Sequence, residues 1–94
     1  MPLKFDWNPK KAQKNIEKHG VSFDEAATVF SDPLSMTYDD PDHSYEENRY
    51  IIIGLSSRSE LLFVSHSESE DTIRIISARR LTRKERKQYE QCYV

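Results

Sequence analysis

The stretch RIISARRLTRKERKQY, Arg74 to Tyr89, carries seven Arg and Lys side chains in a 94-residue chain whose formal net charge is only −2. Guanidinium groups grip phosphates and carboxylates through paired hydrogen bonds, so anion binding is the chemistry these residues suggest. Period-two geometry on TIRIISAR puts Arg74, Ile76 and Ala78 on one face, and Ile73, Ile75, Ser77 and Arg79 on the other. Arg74, flanked by apolar neighbours, must then reach solvent, pair with a carboxylate or face a cleft. Arg79 and Arg80 fall at the strand exit, where the free N–H groups of a following helix would also favour a phosphate. The plainer alternative pairs Arg74 with a cross-strand carboxylate and leaves the helix cations solvated. Lys84 and Lys87 read as surface lysines, while Arg83 and Arg86 suit the carboxylates of a protein partner as well as phosphates.

A proton carrier is the second requirement. His66 follows the apolar run ELLFVS, and Glu68 lies two residues on. Cleavage of RNA without a metal needs a base for the ribose 2′-OH, an acid for the leaving oxygen and cations for the charge that builds on phosphate. His66, Glu68, Arg74 and Arg79 could supply that set, with Arg80 as an alternative phosphate holder; a polar residue that caps a strand explains His66 equally well. His19 closes a helix, and with Lys18 it could meet a phosphate. Tyr89 could stack on a base, as could Trp7 or Tyr45, although core packing is the simpler role for Tyr89 and Trp7. His43 among Asp39, Asp40 and Asp42 matches neither a calcium loop nor a zinc site, so no metal is expected. No cofactor is expected either: there is no phosphate-binding glycine loop, no Cys pair and no nucleophile elbow.

The elements that must position these groups are legible in outline. PLKFDW suits a short first strand. Asn8 and Pro9 form a helix start, and Gly20 a stop. Ala12 and Ile16 give that helix a thin apolar face. Ser22 and Glu25 have capping-box spacing, with Val21 and Ala26 placed as a staple and Phe23, Ala26, Ala27 and Phe30 as an inward stripe. LSMTY begins a strand that leads into the acidic loop DDPDHSYEE. RYIIIGLSS, ELLFVSH and TIRIISAR follow as strands joined at SSRSE and SESED, and their unbroken apolar runs imply burial on both faces. Thr82 and Glu85 start a last helix, which can run through Tyr89 towards Tyr93. The expectation is an α+β chain, residues 1–94 forming one domain: two amino-terminal helices, an antiparallel sheet of about four strands with a possible extra first strand, and a closing helix.

Composition sets the limits. Hydrophobic residues make up 36% of the chain and are clustered, which favours a fold with a small core. No run is long enough to span a bilayer and nothing indicates export, so a cytoplasmic protein without membrane association is expected. The single Cys92 cannot form an internal disulfide.

FDWNPKKAQKNIEKHGVSFDEAATVFSDP, then DDPDHSYEENRY, then RIISARRLTRKERKQY resemble the BrnT toxins of bacterial type II toxin–antitoxin systems. KHGVSFDEA and IRIISARR are the specific pieces, and the likeness spans nearly the whole chain. The resemblance implies a RelE-like ribonuclease toxin that blocks translation by cutting RNA. It also implies a BrnA-type antitoxin that neutralises the toxin in a heterotetramer with an antitoxin dimer and carries the contact with operator DNA. The family pattern covers Lys18, His19, Gly20, Asp42, His43, Arg49, Arg74, Arg79, Arg80, Glu85, Arg86 and Tyr89, with His66 at a strand end and Glu68 close by. Lys18, His19, Arg49, Arg80, Arg83, Arg86 and Tyr89 are the expected RNA-binding residues. The alternative is a non-catalytic module whose basic carboxy-terminal third docks an acidic protein. A third reading, the DNA-binding half of such a pair, lacks a paired-helix reader in the sequence.

Overall fold

The computed structural model describes residues 4–41 and 48–91. Its elements run β1 (Lys4–Asp6), α1 (Pro9–His19), α2 (Phe23–Thr28), a 3₁₀ turn (Val29–Ser31), β2 (Met36–Asp39), β3 (Arg49–Leu55), β4 (Leu61–Ser69), β5 (Thr72–Arg80) and α3 (Arg83–Gln91). The sheet order is β1-β5-β4-β3-β2. β2 to β5 form an antiparallel meander, and β1 joins its edge in parallel with β5. The topology is RelE-like, with the expected short first strand present. Asp42, His43 and Tyr45 of the acidic loop, and Cys92 and Tyr93, lie outside the described residues.

Local chemistry explains most of the element ends. The Asn8 side chain accepts from the N–H groups of Lys10 and Lys11, with Pro9 in the first turn of α1. Gly20 ends α1 at φ 69°, a left-handed conformation that costs glycine little. The Thr82 and Glu85 capping box is complete: Thr82 N–H donates to Glu85 Oε1 at 2.9 Å, and Glu85 N–H to Thr82 Oγ1 at 3.2 Å. The Ser22 box is only half formed. Glu25 N–H reaches Ser22 Oγ, but the buried Glu25 carboxylate instead accepts from the Ser56 hydroxyl at 2.7 Å. Helix α2 is thereby tied to the β3–β4 turn.

The core lies between one face of the sheet and α1, α2 and the 3₁₀ turn. Val21, Phe23, Ala26 and Val29 pack against Ile52, Leu62, Val64, Ile75 and Ala78. Gly54 is required there, because an added Cβ would meet Ser35 Cβ at 2.9 Å and Val29 Cγ1 at 3.0 Å. Helix α1 docks differently from the expectation. Ile16 remains 44% exposed, and Asn15 turns inward. The Asn15 amide donates to the carbonyls of Val21 and Ala78 and accepts from Ala78 N–H. It satisfies the edge of β5 beyond the point where β1 stops pairing.

One irregularity decides which side chains share a face. In the β4–β5 ladder Ser65 pairs with Ser77 but His66 pairs with Ile75, so Ile76 is an extra residue, a β-bulge. The bulge resets the alternation along β5. Ile73, Ile75 and Ala78 all turn to the helices and are buried, whereas strict period two separated Ala78 from the other two. Residues paired across a ladder point the same way, so the opposite, open face carries Arg74, Ser77 and Arg79 from β5. Phe63, Ser65 and Ser67 of β4, Arg49, Ile51 and Ile53 of β3, and Met36 and Tyr38 of β2 share that face.

Candidate active site

The open face places Arg74 and Arg79 in one row, which the bulge makes possible and strict alternation forbids. They stand five residues apart on a twisted, bulged strand, hence roughly 14–16 Å between Cα atoms. Ser77 lies between them, with Ser65 beside it and Ser67 opposite Arg74. Arg49 faces Ser67 from β3, which puts a third guanidinium on the Arg74 end of the row.

Both arginines of the row have carboxylate partners within the chain. Arg74 bonds Asp6 of β1 at 2.5 Å, and both side chains are half exposed. The β1–β5 register sets this pair directly opposite one another. Arg79 makes a two-pronged bond to Glu85, 2.7 Å to Oε1 and 2.9 Å to Oε2. Its guanidinium carbon also lies 4.0 Å from the centroid of the Phe63 ring, a cation–π contact. The bond to Arg79 and those from Thr82 hold the Glu85 carboxyl down at about 2. The Glu85 carboxylate in turn raises Arg79 above its ordinary value. Tyr38 is raised first by burial and then by the charge of Glu85, so its phenol stays protonated.

Helix α3 crosses this face lightly. None of its described residues is buried. The Arg79–Glu85 pair attaches it to the sheet, and a 3.4 Å hydrogen bond from the Tyr89 hydroxyl to the Leu34 carbonyl attaches it to the turn before β2. Between α3 and the sheet is a cleft of about 210 Å³ lined by Met36, Tyr38, Ile53, Glu85, Gln88 and Tyr89. Arg83 and Arg86 point to solvent from α3.

His66 does not join the arginines. It lies on the helix face with Leu62 and Val64, 1% exposed, edge-on to Phe30 and stacked with Tyr50. Glu68 is on the same side, its Oε2 3.6 Å from His66 Nε2. His66 Nδ1 has no hydrogen-bond partner among the described residues. Burial lowers the imidazole pKa, although Glu68 opposes this, so the ring is neutral at neutral pH. The pocket expected to combine His66 and Glu68 with Arg74 and Arg79 is therefore not formed: even-numbered β4 residues face the helices, and the bulge sends both arginines the other way.

Arg80 also lies away from the row. It donates to the His19 carbonyl at 3.2 Å and approaches Glu60 at 3.5 Å, closing the carbonyl end of α1 against the β3–β4 turn. Lys18 and His19 occupy that same last turn of α1. The expected RNA-binding set therefore divides three ways: Arg49 on the open face, Arg83, Arg86 and Tyr89 on α3, and Lys18, His19 and Arg80 on the helix side. The α3 amino terminus is closed by its own capping box, so it is not an open phosphate cradle.

Sequence reasoning missed Asp6, Tyr38 and the serine row. Alternation in FVSHSES was a usable sign, because it sets Phe63, Ser65 and Ser67 on one side. The consecutive Ile75 and Ile76 were the one trace of the bulge. Among the described residues no group of three His, Cys, Asp or Glu side chains could hold a metal ion. No described helix is long and apolar enough to cross a membrane.

The sheet, with α1 and α2 on one face and Arg74, Arg79 and α3 on the other, has RelE-like topology. The family model for the ribonuclease toxin BrnT of type II toxin–antitoxin systems matches residues 7–85, so the chain belongs to the BrnT family. The crystal structure of the Brucella abortus ribonuclease toxin BrnT superposes with a TM-score of 0.68 at 21% identity. The match covers 86% of this chain and 99% of that one, and it supports the fold. No curated protein sequence gives a match.

Proposed function

We propose that the chain is a metal-independent endoribonuclease acting on the open face of its sheet. The ribose 2′-OH attacks the adjacent phosphorus, the bond to the next nucleotide's 5′ oxygen breaks, and a 2′,3′-cyclic phosphate and a 5′-hydroxyl result. Arg74 and Arg79 hold the phosphates on either side of, or at, the cleaved linkage. The observation that carries this reading is their placement on one face of β5, the one away from α1 and α2, with Ser77 between them and Ser65 and Ser67 paired to it and to Arg74.

The carboxylates on these arginines stand where phosphate oxygens would go. An exposed pair such as Arg74–Asp6 contributes about 0–1 kcal/mol, so exchanging its carboxylate for a phosphate costs little. Exchange at Arg79 has a further consequence. Glu85 loses the bonds that hold its carboxyl near 2, its affinity for a proton rises, and it is left beside the bound phosphate. Glu85 then takes the proton of the 2′-OH as base, and the leaving 5′ oxygen is protonated by water at the solvent-facing edge of the site. His66 and Glu68 act through the fold, by positioning β4.

Family membership supports a cognate BrnA-type antitoxin, and we take the active unit in a bacterial cytoplasm to be the free toxin, which stops translation by cutting RNA. The antitoxin dimer binds two toxin chains, replaces phosphate with its own carboxylates on the open face, and supplies the contact with operator DNA. Cleavage of a single-stranded RNA in EDTA, compared with the same RNA carrying one 2′-deoxy linkage, tests the chemistry: cutting at the deoxy linkage excludes 2′-OH attack. Arg79→Ala should lower the rate about 100- to 1,000-fold; an undiminished rate removes Arg79 from the site.

One observation favours a second reading, a non-catalytic module. Arg74, Arg79 and Arg80 all have intrachain carboxylate partners, while Arg83 and Arg86 are left exposed for an acidic protein. Under it, the wild-type chain binds its antitoxin but leaves RNA intact.

A further inference from the structure

We infer that the cleft between β2, β3 and α3 is a nucleobase slot, in which one base of the bound RNA stacks against Tyr38. The inference rests on the ribonuclease reading and names the part of RNA that the arginine row leaves unread. Four observations carry it. The cleft has about 210 Å³ of space, enough for one flat ring system yet below the range of about 300–1,000 Å³ that takes a drug-sized molecule. Its lining includes the apolar Met36 and Ile53 and two aromatic rings, Tyr38 and Tyr89. Tyr38 remains 42% exposed, so part of its ring is open to a stacking partner. The cleft also shares a wall with the phosphate site, because Glu85 lines it and is held at 2.7 Å by Arg79.

This combination fits single-stranded nucleic acid better than an acidic peptide. A guanidinium next to an aromatic slot matches the alternation of phosphate and base along one strand, and every base has a π-face to stack. A docking peptide helix would need a row of pockets at helical spacing, whereas this is one compact cleft. The arginine at the rim fixes the backbone, and the ring then fixes which nucleotide sits next to it.

The test uses the full chain and a short single-stranded RNA, non-cleavable through 2′-deoxy linkages, with 2-aminopurine at successive positions. At one position fluorescence should be quenched on binding to the wild type. Tyr38→Phe should keep that quench. Tyr38→Ala should abolish it and weaken binding about 5- to 150-fold. Replacing the quenched base with an abasic nucleotide should weaken binding to the wild type to a similar degree, which reads the slot without altering the protein. Binding without a quench at any position, with the abasic RNA bound as tightly as the intact one, overturns the slot and leaves the arginine row standing. No RNA binding by the folded wild type at low salt overturns the ribonuclease reading, and the slot with it.

Discussion

The two faces of one sheet make opposite use of the same strands. On the helix face β4 and β5 present Leu62, Val64, Ile75 and Ala78 to α2 and the 3₁₀ turn. On the open face the alternate residues are Arg74, Ser77 and Arg79 opposite Ser67, Ser65 and Phe63, and α3 lies over them without burying a described residue of its own. Packing decides the first face and charge the second. A small chain with little core to spare can then alter its working surface without unfolding, provided the bulge at Ile76 keeps the two sets apart.

The largest effect is expected on the closed side. Leu62 is fully buried in the core, and Leu62→Ala should destabilise the chain by about 2–5 kcal/mol, the cost of lost burial plus the cavity. That is a large part of the stability of a domain of this size, so urea unfolding should show a midpoint far below the wild type. A small shift would mean that α2 packs less firmly than the buried residues indicate.

Glu85→Gln should give the next largest change, and it isolates the ion pair, because Gln still satisfies the Thr82 capping box. Loss of the charged bonds to Arg79 should cost about 1–3 kcal/mol at neutral pH. The folded-state pKa lies below the ordinary 4.5, so this stability is present above that value and drains away as pH falls towards about 2. Wild-type and variant unfolding curves should therefore converge between pH 4.5 and 2. A constant difference across that window would show that Glu85 acts through something other than its charge.

His66 provides the matching experiment on the closed face, with a smaller effect and a different window. Burial lowers its pKa from 6.5, so the unfolded chain takes up a proton first as pH falls. Stability tied to His66 is then complete above 6.5 and begins to drop below it. His66→Phe keeps a ring against Phe30 and Tyr50 and should flatten the stability profile between pH 7 and 5. An unchanged slope there would place the titrating group elsewhere.

What was legible in the sequence follows from how far apart the cooperating residues are. Asn8, Gly20, Thr82 with Glu85, and the turns at SSRSE and SESED act within a few residues, and their signals predicted the helix ends and hairpins. Ile51 to Ile53 announced a strand covered on both faces, and all three are buried. The site was less legible because its geometry is set by register. Whether Arg74 and Arg79 share a face depends on one unpaired residue, and Asp6 meets Arg74 across 68 positions of chain. Asn15 shows the same limit. No local signal singles it out, and the free edge of β5 at Ala78, 63 positions away, draws it inward.

The smallest expected effect sharpens the contrast between the faces most. Arg74 and Asp6 are each half exposed, and such a pair yields little after the entropy of holding two side chains and screening by salt. Arg74→Ala should change the unfolding free energy by less than about 1 kcal/mol, while RNA binding weakens and its dependence on salt becomes shallower by about one phosphate contact. Asp6→Asn gives the opposite sign in binding, since it removes the carboxylate that competes with phosphate for the same guanidinium, and it leaves stability just as little altered. A pair of variants with near-equal stability and opposite changes in RNA affinity, persisting at a salt concentration that screens distant charge, is what anion binding on the open face predicts. If both variants weakened binding together, the pair would be holding β1 on β5 rather than waiting for a phosphate.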